Sequence, residues 1–431
     1  MRCRFTRRSG HARQKQTGVG GVIDLTDQAP ATLPARHLRN RATIEFAVMA
    51  FSLASFTTIG LSLVVTSWIA AVEGSVFLVG QLFFASSTTA LVFSIYAGVV
   101  TDRKNRLLII RQGQSLRILG VCALVVATLG TSAAPWLFAY AVLFSLGTVL
   151  NAGALDGIVQ LAVDEQQRMK LAIRVSICRQ LGILCGTGLG GVSLHHLPAV
   201  WPVLLMAVLM MVQFVIISLF FADYQNAPPK PPGHVISAWK GGLRAILGQP
   251  RLAFTILTIG LLFSASQMAN VLVPGFVRDS LQQGSDVYGL LEMAWAAGGG
   301  AALATAAVRT RLSGAHRREL VILIMAGVAM VAFASSRSLP LLVAIYAILG
   351  GMFAWGRAIC DGRILILAKN EEIGRVRAAT SMLVSLLGMA IYISPTIIGS
   401  EDAILYYVSW GVVLSVAGAV MLGLCARAGW N

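Results

Sequence analysis

Apolar and polar residues run in blocks along this chain and do not alternate. Twelve apolar stretches can be read, at about 44–70, 76–100, 107–130, 135–156, 175–193, 201–221, 252–273, 286–308, 319–335, 339–361, 376–398 and 403–425. A helix rises 1.5 Å per residue, so about 20 apolar residues cross a hydrocarbon core about 30 Å thick. The stretches suit that length, the fifth and ninth being the shortest. Helices satisfy their own backbone hydrogen bonds in lipid, whereas barrel strands would alternate apolar and polar positions. The pattern predicts an all-α polytopic membrane protein of twelve transmembrane helices.

Composition agrees: 56% of the 431 residues are hydrophobic and only 12% charged, too little polar surface for a soluble globule. The net charge of +16 is distributed unevenly. Of the 34 Lys and Arg, thirty map to one side: nine in the N-terminal tail, four in each of five loops (103–111, 168–179, 230–251, 309–318, 363–377) and one near the C-terminus. Arg278 and Arg337 map to the other side, and Arg117 and Arg357 lie within spans. The excess predicts that these loops and both termini are cytoplasmic, in a multi-pass protein of the inner or plasma membrane. The basic patches would meet anionic lipid headgroups. No aromatic-interleaved basic domain suggests a nucleic-acid partner. Cys3, Cys122, Cys178, Cys185, Cys360 and Cys425 avoid the external loops, so no disulfide and no metal spacing is expected.

The organisation reads as a disordered basic tail (1–42), a six-helix bundle (43–222), a linker (223–251) and a second six-helix bundle (252–427). Pro228, Pro229, Pro231 and Pro232 stiffen the linker, and Ile236–Leu247 could form an amphipathic helix at the membrane surface. The halves echo one another. Asp156-Gly157 closes the fourth span and Asp361-Gly362 the tenth, and each is followed by an acidic pair, Asp164-Glu165 or Glu371-Glu372. Duplicated transporters commonly place their solute between the repeats.

Between spans two and three stands Gly98-x-x-x-Asp102-Arg103-x-x-Arg106. This turn resembles the signature loop of the major facilitator superfamily, and the resemblance extends over about residues 43–427. It implies that Gly98, Asp102, Arg103 and Arg106 form a conformational latch on the cytoplasmic side. The family has a glycine where this chain has Asn105, and the matching loop at 309–318 keeps cations without the Gly and Asp. In the fifth span, Gly182, Gly186, Gly190 and Gly191 are similar to the glycine motif of exporters in this superfamily, with Thr187 in place of its proline. Small residues four apart make a flat face for close packing, so ordinary helix contact explains them equally well. Tyr288-Gly289-Leu290-Leu291-Glu292 with Gly298-Gly299-Gly300 resembles the branch of macrolide and enterobactin exporters.

Ionisable groups inside spans are costly, about 2.5–3.5 kcal/mol each at the bilayer centre, and therefore informative. Glu292 is the candidate for proton coupling, against a structural hydrogen bond. Glu45 begins the first span, where a carboxylate also suits the helix dipole. Arg117 stands near mid-bilayer and needs a partner or a wet cavity. Arg357 and Asp361, four apart on the tenth span, can pair on one face. The resemblance implies that spans one, four, seven and ten line a cavity, which nominates Ser52, Ser55, Thr58, Asn151, Gln267, Asn270 and Trp355 beside Arg357. That lining suits a bulky amphipathic or hydrophobic solute. Any one hydroxyl among these can instead bond its own helix.

The chain carries no Gly-x-x-x-x-Gly-Lys-Ser/Thr loop, so no ATP or other cofactor is expected beyond a proton gradient, and no enzymatic activity. The expected function is an alternating-access transporter, monomeric, exporting a small amphipathic molecule by proton coupling. A lipid flippase of the same fold, and an importer or uniporter, remain open.

Overall fold

The computed structural model describes residues 41–103, 105–130, 132–162, 165–221, 235–308, 317–368 and 373–429. The basic tail falls outside them, as do the linker prolines, the 309–316 loop and the Glu371-Glu372 pair. The helices are α1 (Arg41–Arg103), α2 (Arg106–Leu129), α3 (Ala134–Ala162), α4 (Glu165–His196), α5 (Val200–Phe220), α6 (Val235–Leu247), α7 (Pro250–Gly275, continued by a π-turn Phe276–Ser280), α8 (Ser285–Val308), α9 (Arg317–Ser335), α10 (Leu339–Leu367), α11 (Ile373–Ile398) and α12 (Ala403–Arg427). The apolar part of α1 alone, Thr43–Ser94, is 52 residues long, enough for two crossings. Counting α1 twice and leaving out the short α6 gives the twelve spans of an all-α membrane fold.

Local chemistry sets the breaks. α1 folds back at Gly74 and Ser75, where Ser75 takes φ 61°. The Ser75 hydroxyl donates to Glu401 at 2.9 Å, tying this turn to the start of α12. Asn105 adopts φ −55°, so no left-handed glycine is required there. Its side chain instead caps α2, accepting from the amides of Leu107 (2.9 Å) and Leu108 (3.4 Å). Asp402 caps α12 in the same way. Pro250 starts α7, where a missing N–H does no harm.

The spans alternate between two faces. One, here the basic face, carries the start of α1, the α1–α2 turn and the end of α12; the other is the far face. α1 to α5 pack together as one half and α7 to α12 as the other. α6 docks on the second half, with Gly242 against the backbone of Arg375 and Ile246 buried among Leu252, Ile364, Val376 and Ala379.

The halves meet through α1 and α4 on one side and α7, α8 and α11 on the other. Contacts gather toward the far face. The backbone carbonyl of Ala71 accepts from Arg278, and His195 pairs with Asp286 at 3.1 Å. Gly80 lies against the Tyr392 carbonyl, and Phe83 stacks on Tyr392 with centroids 5.3 Å apart. Trp68 stacks on Tyr288 at 6.2 Å. Gly191 meets Gly289 so closely that a Cβ on either would stand 2.7 Å from the other's Cα. Toward the basic side, Gln180 of α4 approaches Gly299 of α8, where an added Cβ would stand 3.9 Å from its Nε2. Leu53, Ile177, Leu181 and Leu303 are exposed there.

Candidate functional site

The C-terminal half buries one carboxylate deep among aromatic groups. Glu292 on α8 is 4% exposed and accepts from the Tyr346 hydroxyl at 3.3 Å. Tyr346 lies against Trp295 (5.1 Å) and Phe333 (5.3 Å), and Phe333 against Tyr407 (5.2 Å). Tyr407, fully buried, has a hydroxyl with no hydrogen-bond partner among the described residues. No cation pairs with Glu292 there either. One turn toward the far face, Tyr288 carries the stack onto Trp68, so the carboxylate sits directly behind the seal between the halves.

The N-terminal half buries a cation instead. Arg117 on α2 is 1% exposed. Its Nη1 donates to Gln213 (3.0 Å), Gln114 (3.3 Å) and Ser55 (3.3 Å), while Nε and Nη2 have no partner among the described residues. Gln114 also accepts from Asn151 (3.0 Å), and Gln213 donates to Thr58 (3.0 Å). The guanidinium stacks on Phe144 at 4.7 Å. Phe144 in turn borders a cavity of about 180 Å³ between both arms of α1 and α3, lined by Ser62, Thr66, Ser67, Ser86 and Tyr140.

Two further arginines mark the closed end of the cleft. Arg179 on α4 stacks over Phe56 at 4.7 Å, and Arg357 on α10 over Phe263 at 5.0 Å. They come from opposite halves, and their helix neighbours Gln180 and Ala354 both approach Gly299 of α8. Arg357 pairs with Asp361 through Nε at 3.6 Å.

The sequence from residue 46 to 393 matches the family model of the Major Facilitator Superfamily. The chain belongs to that superfamily. Solved structures agree on its fold. The nucleoside transporter NupG, as a variant, superposes with a TM-score of 0.67 at 15% identity, covering 88% of this chain and 99% of that one. A bacterial homologue of the human lysosomal transporter Spinster, in an inward-facing and unoccupied conformation, gives 0.62 at 14%, covering 90% and 97%. A POT family transporter in complex with 5-aminolevulinic acid gives 0.70 at 12%, covering 91% and 97%. No curated protein sequence matches the chain significantly.

In this superfamily frame the remaining candidates fall as follows. Gly98, Asp102 and Arg103 close α1, with side chains outside the described residues, and Arg106 opens α2 as a buried residue. The glycine motif has two faces. Gly182, Gly186 and Gly190 receive the first arm of α1 within their own half, where a Cβ on Gly182 would stand 2.8 Å from the Leu53 carbonyl, whereas Gly191 receives α8 of the other half. Glu45 pairs with Arg174 at 3.0 Å near the basic face. Ser52 and Thr58 donate back to Val48 and Ala54 of their own helix. Gln267 packs against Gly388, and Asn270 lies half-buried on α7. Trp355 borders an apolar crevice between α8, α9 and α10, with its indole N–H unpartnered among the described residues.

Sequence reasoning counted Arg179 with the loop at 168–179, yet α4 begins at Glu165 and carries Arg179 well inside the helix. It also missed the pair that Glu319 makes with Arg363, which joins α9 to α10.

Proposed function

We propose that this chain is a secondary active transporter that works by alternating access and exports a small amphipathic or hydrophobic solute in exchange for protons. The observation that carries the reading is the meeting of the halves at the far face through Trp68, Tyr288, Phe83 and Tyr392, with Leu53, Ile177, Leu181 and Leu303 left exposed toward the basic face. The positive-inside rule makes the basic face cytoplasmic, so a cytoplasmic solute could enter the cleft directly. Transport would then rock the halves about a solute site between them.

Glu292 is the proposed proton carrier. Its carboxyl is held by a tyrosine hydroxyl without a compensating cation among the described residues, and Tyr288 places it next to the seal. Protonation removes a buried charge, which lowers the cost of rearranging that seal.

A second reading is import; the nucleoside transporter and the POT family transporter share the fold and leave that direction equally open. Direction separates the two. Protein reconstituted in liposomes, given a metabolite mixture and an imposed pH gradient, should move an amphipathic solute against the proton flow, and Glu292→Gln should abolish that gradient-driven flux while folding normally. Solute and protons moving together would replace export by import. Gradient-driven flux unchanged by the substitution would remove Glu292 from the mechanism.

A further inference from the structure

The cleft ends at Gly299. A Cβ there would stand 3.6 Å from Ala354 Cβ and 3.9 Å from Gln180 Nε2, so α4, α8 and α10 converge at this point. One residue from Gln180 is Arg179, and one turn from Ala354 is Arg357. Measured along their helices at 1.5 Å per residue, the two arginines lie roughly 26 Å and roughly 27 Å from the far ends, hence at equal depth. Each guanidinium rests on a phenylalanine of its own half, Phe56 or Phe263. Phe263 meets Phe353 edge-on at 5.1 Å, and Phe353 leads through Trp295 (5.9 Å) to the Tyr346 that holds Glu292.

Two permanent cations from opposite halves repel as the cleft narrows. Asp361 offsets one of them and stays with its own helix. Stacking on phenylalanine holds each guanidinium in place and leaves its edges for hydrogen bonds. An oxyanion between them would accept charge-assisted bonds from both halves and cancel the repulsion. The flanking rings add a surface for an apolar body.

We propose that this apex binds the acidic group of the solute, a carboxylate or phosphate, between Arg179 and Arg357, with the apolar part of the solute against Phe56, Phe263 and Phe353. The proposal rests on the transporter reading and narrows its solute to an amphipathic anion. It also couples binding to motion. The anion bridges the halves, so its arrival favours closing the basic side.

The test uses matched amphiphiles, 4-phenylbutyrate, 4-phenylbutanol and 4-phenylbutylamine, on purified full-length protein, with thermal stabilisation as the readout. The carboxylate should stabilise, and the alcohol and amine should not. Arg179→Gln and Arg357→Gln should each weaken the carboxylate response about tenfold or more, because each loses a charge-assisted hydrogen bond. Arg179 is exposed in the cleft, so its variant should fold even if that of Arg357 does not. Equal response to all three amphiphiles, or a response untouched by Arg179→Gln, would overturn the proposal. Inorganic phosphate or an anionic lipid alone giving the full effect would reassign the site to a free anion or a headgroup and overturn it as well. Binding is read without transport, so a missing carboxylate effect leaves the transporter reading standing. Intact binding with no flux of any solute in liposomes would sink that reading alone.

Discussion

Replacing Gly191 by alanine should push the protein out of its far-sealed state. The added Cβ would lie 2.7 Å from both Gly289 Cα and the Ser285 carbonyl oxygen, closer than real methyl carbons approach. Both obstacles are backbone, so no rotamer change relieves them and α8 has to move away from α4. Overpacking of this kind costs about 1–3 kcal/mol. The clash exists only while the far side is sealed, so that cost shifts the balance between states by about 5- to 150-fold. The neighbouring Gly190→Ala is the control, because its Cβ would meet Val64 Cβ at 3.0 Å within its own half and should penalise both states alike. A cysteine at Ser67, buried near the seal at 2% exposure, reports the result through its labelling by a membrane-impermeant maleimide added at the far face. Labelling should rise about tenfold with Gly191→Ala and stay flat with Gly190→Ala. Equal labelling in both backgrounds would refute the assignment of the two glycine faces.

Other substitutions test separate parts. Arg117→Leu should lower the thermal stability of the purified protein by about 2–4 kcal/mol, because Gln213, Gln114 and Ser55 lose a donor in a dry interior; an unchanged melting temperature would contradict a structural role for this network. Asn105→Ala should cost about 1 kcal/mol through the lost cap of α2, whereas Asn105→Gly should cost only a few tenths, measured by the same melts. His195→Ala should change transport rates by less than about fivefold, since its pair with Asp286 is partly exposed and such pairs contribute about 0.2–1 kcal/mol.

The fold was largely legible in the sequence because lipid leaves few options. Apolar runs of crossing length must be helices, and the lopsided placement of cations orders them. The details that escaped are those set by partners distant in sequence. Arg117 announced a need for partners, but Ser55 and Gln213 lie 62 and 96 residues away, and no local pattern connects them. Spacing by four in Gly182, Gly186 and Gly190 foretold a packing face without saying which helix would occupy it. Arg179 was hidden for a different reason. It lies inside the fifth apolar stretch yet was counted with the loop cations, because the local pattern does not show which cation faces a cleft. The amphipathic segment at 236–247 was readable as a helix, but its seat on α11 depends on Gly242 meeting the Arg375 backbone, a contact no periodicity encodes. Asn105 looked like a departure from the superfamily pattern and proves to be a helix cap.

The central claim, two halves that seal one face while opening the other, is tested most directly by paired spin-label distances. One pair at Ile177 and Leu303 spans the basic side, and another at Gln283 and Leu197 spans the far side. Adding 4-phenylbutyrate or the transported solute should shorten the first distance and lengthen the second within the same sample. Both distances shortening together, or neither changing during active transport, would contradict alternating access for this chain.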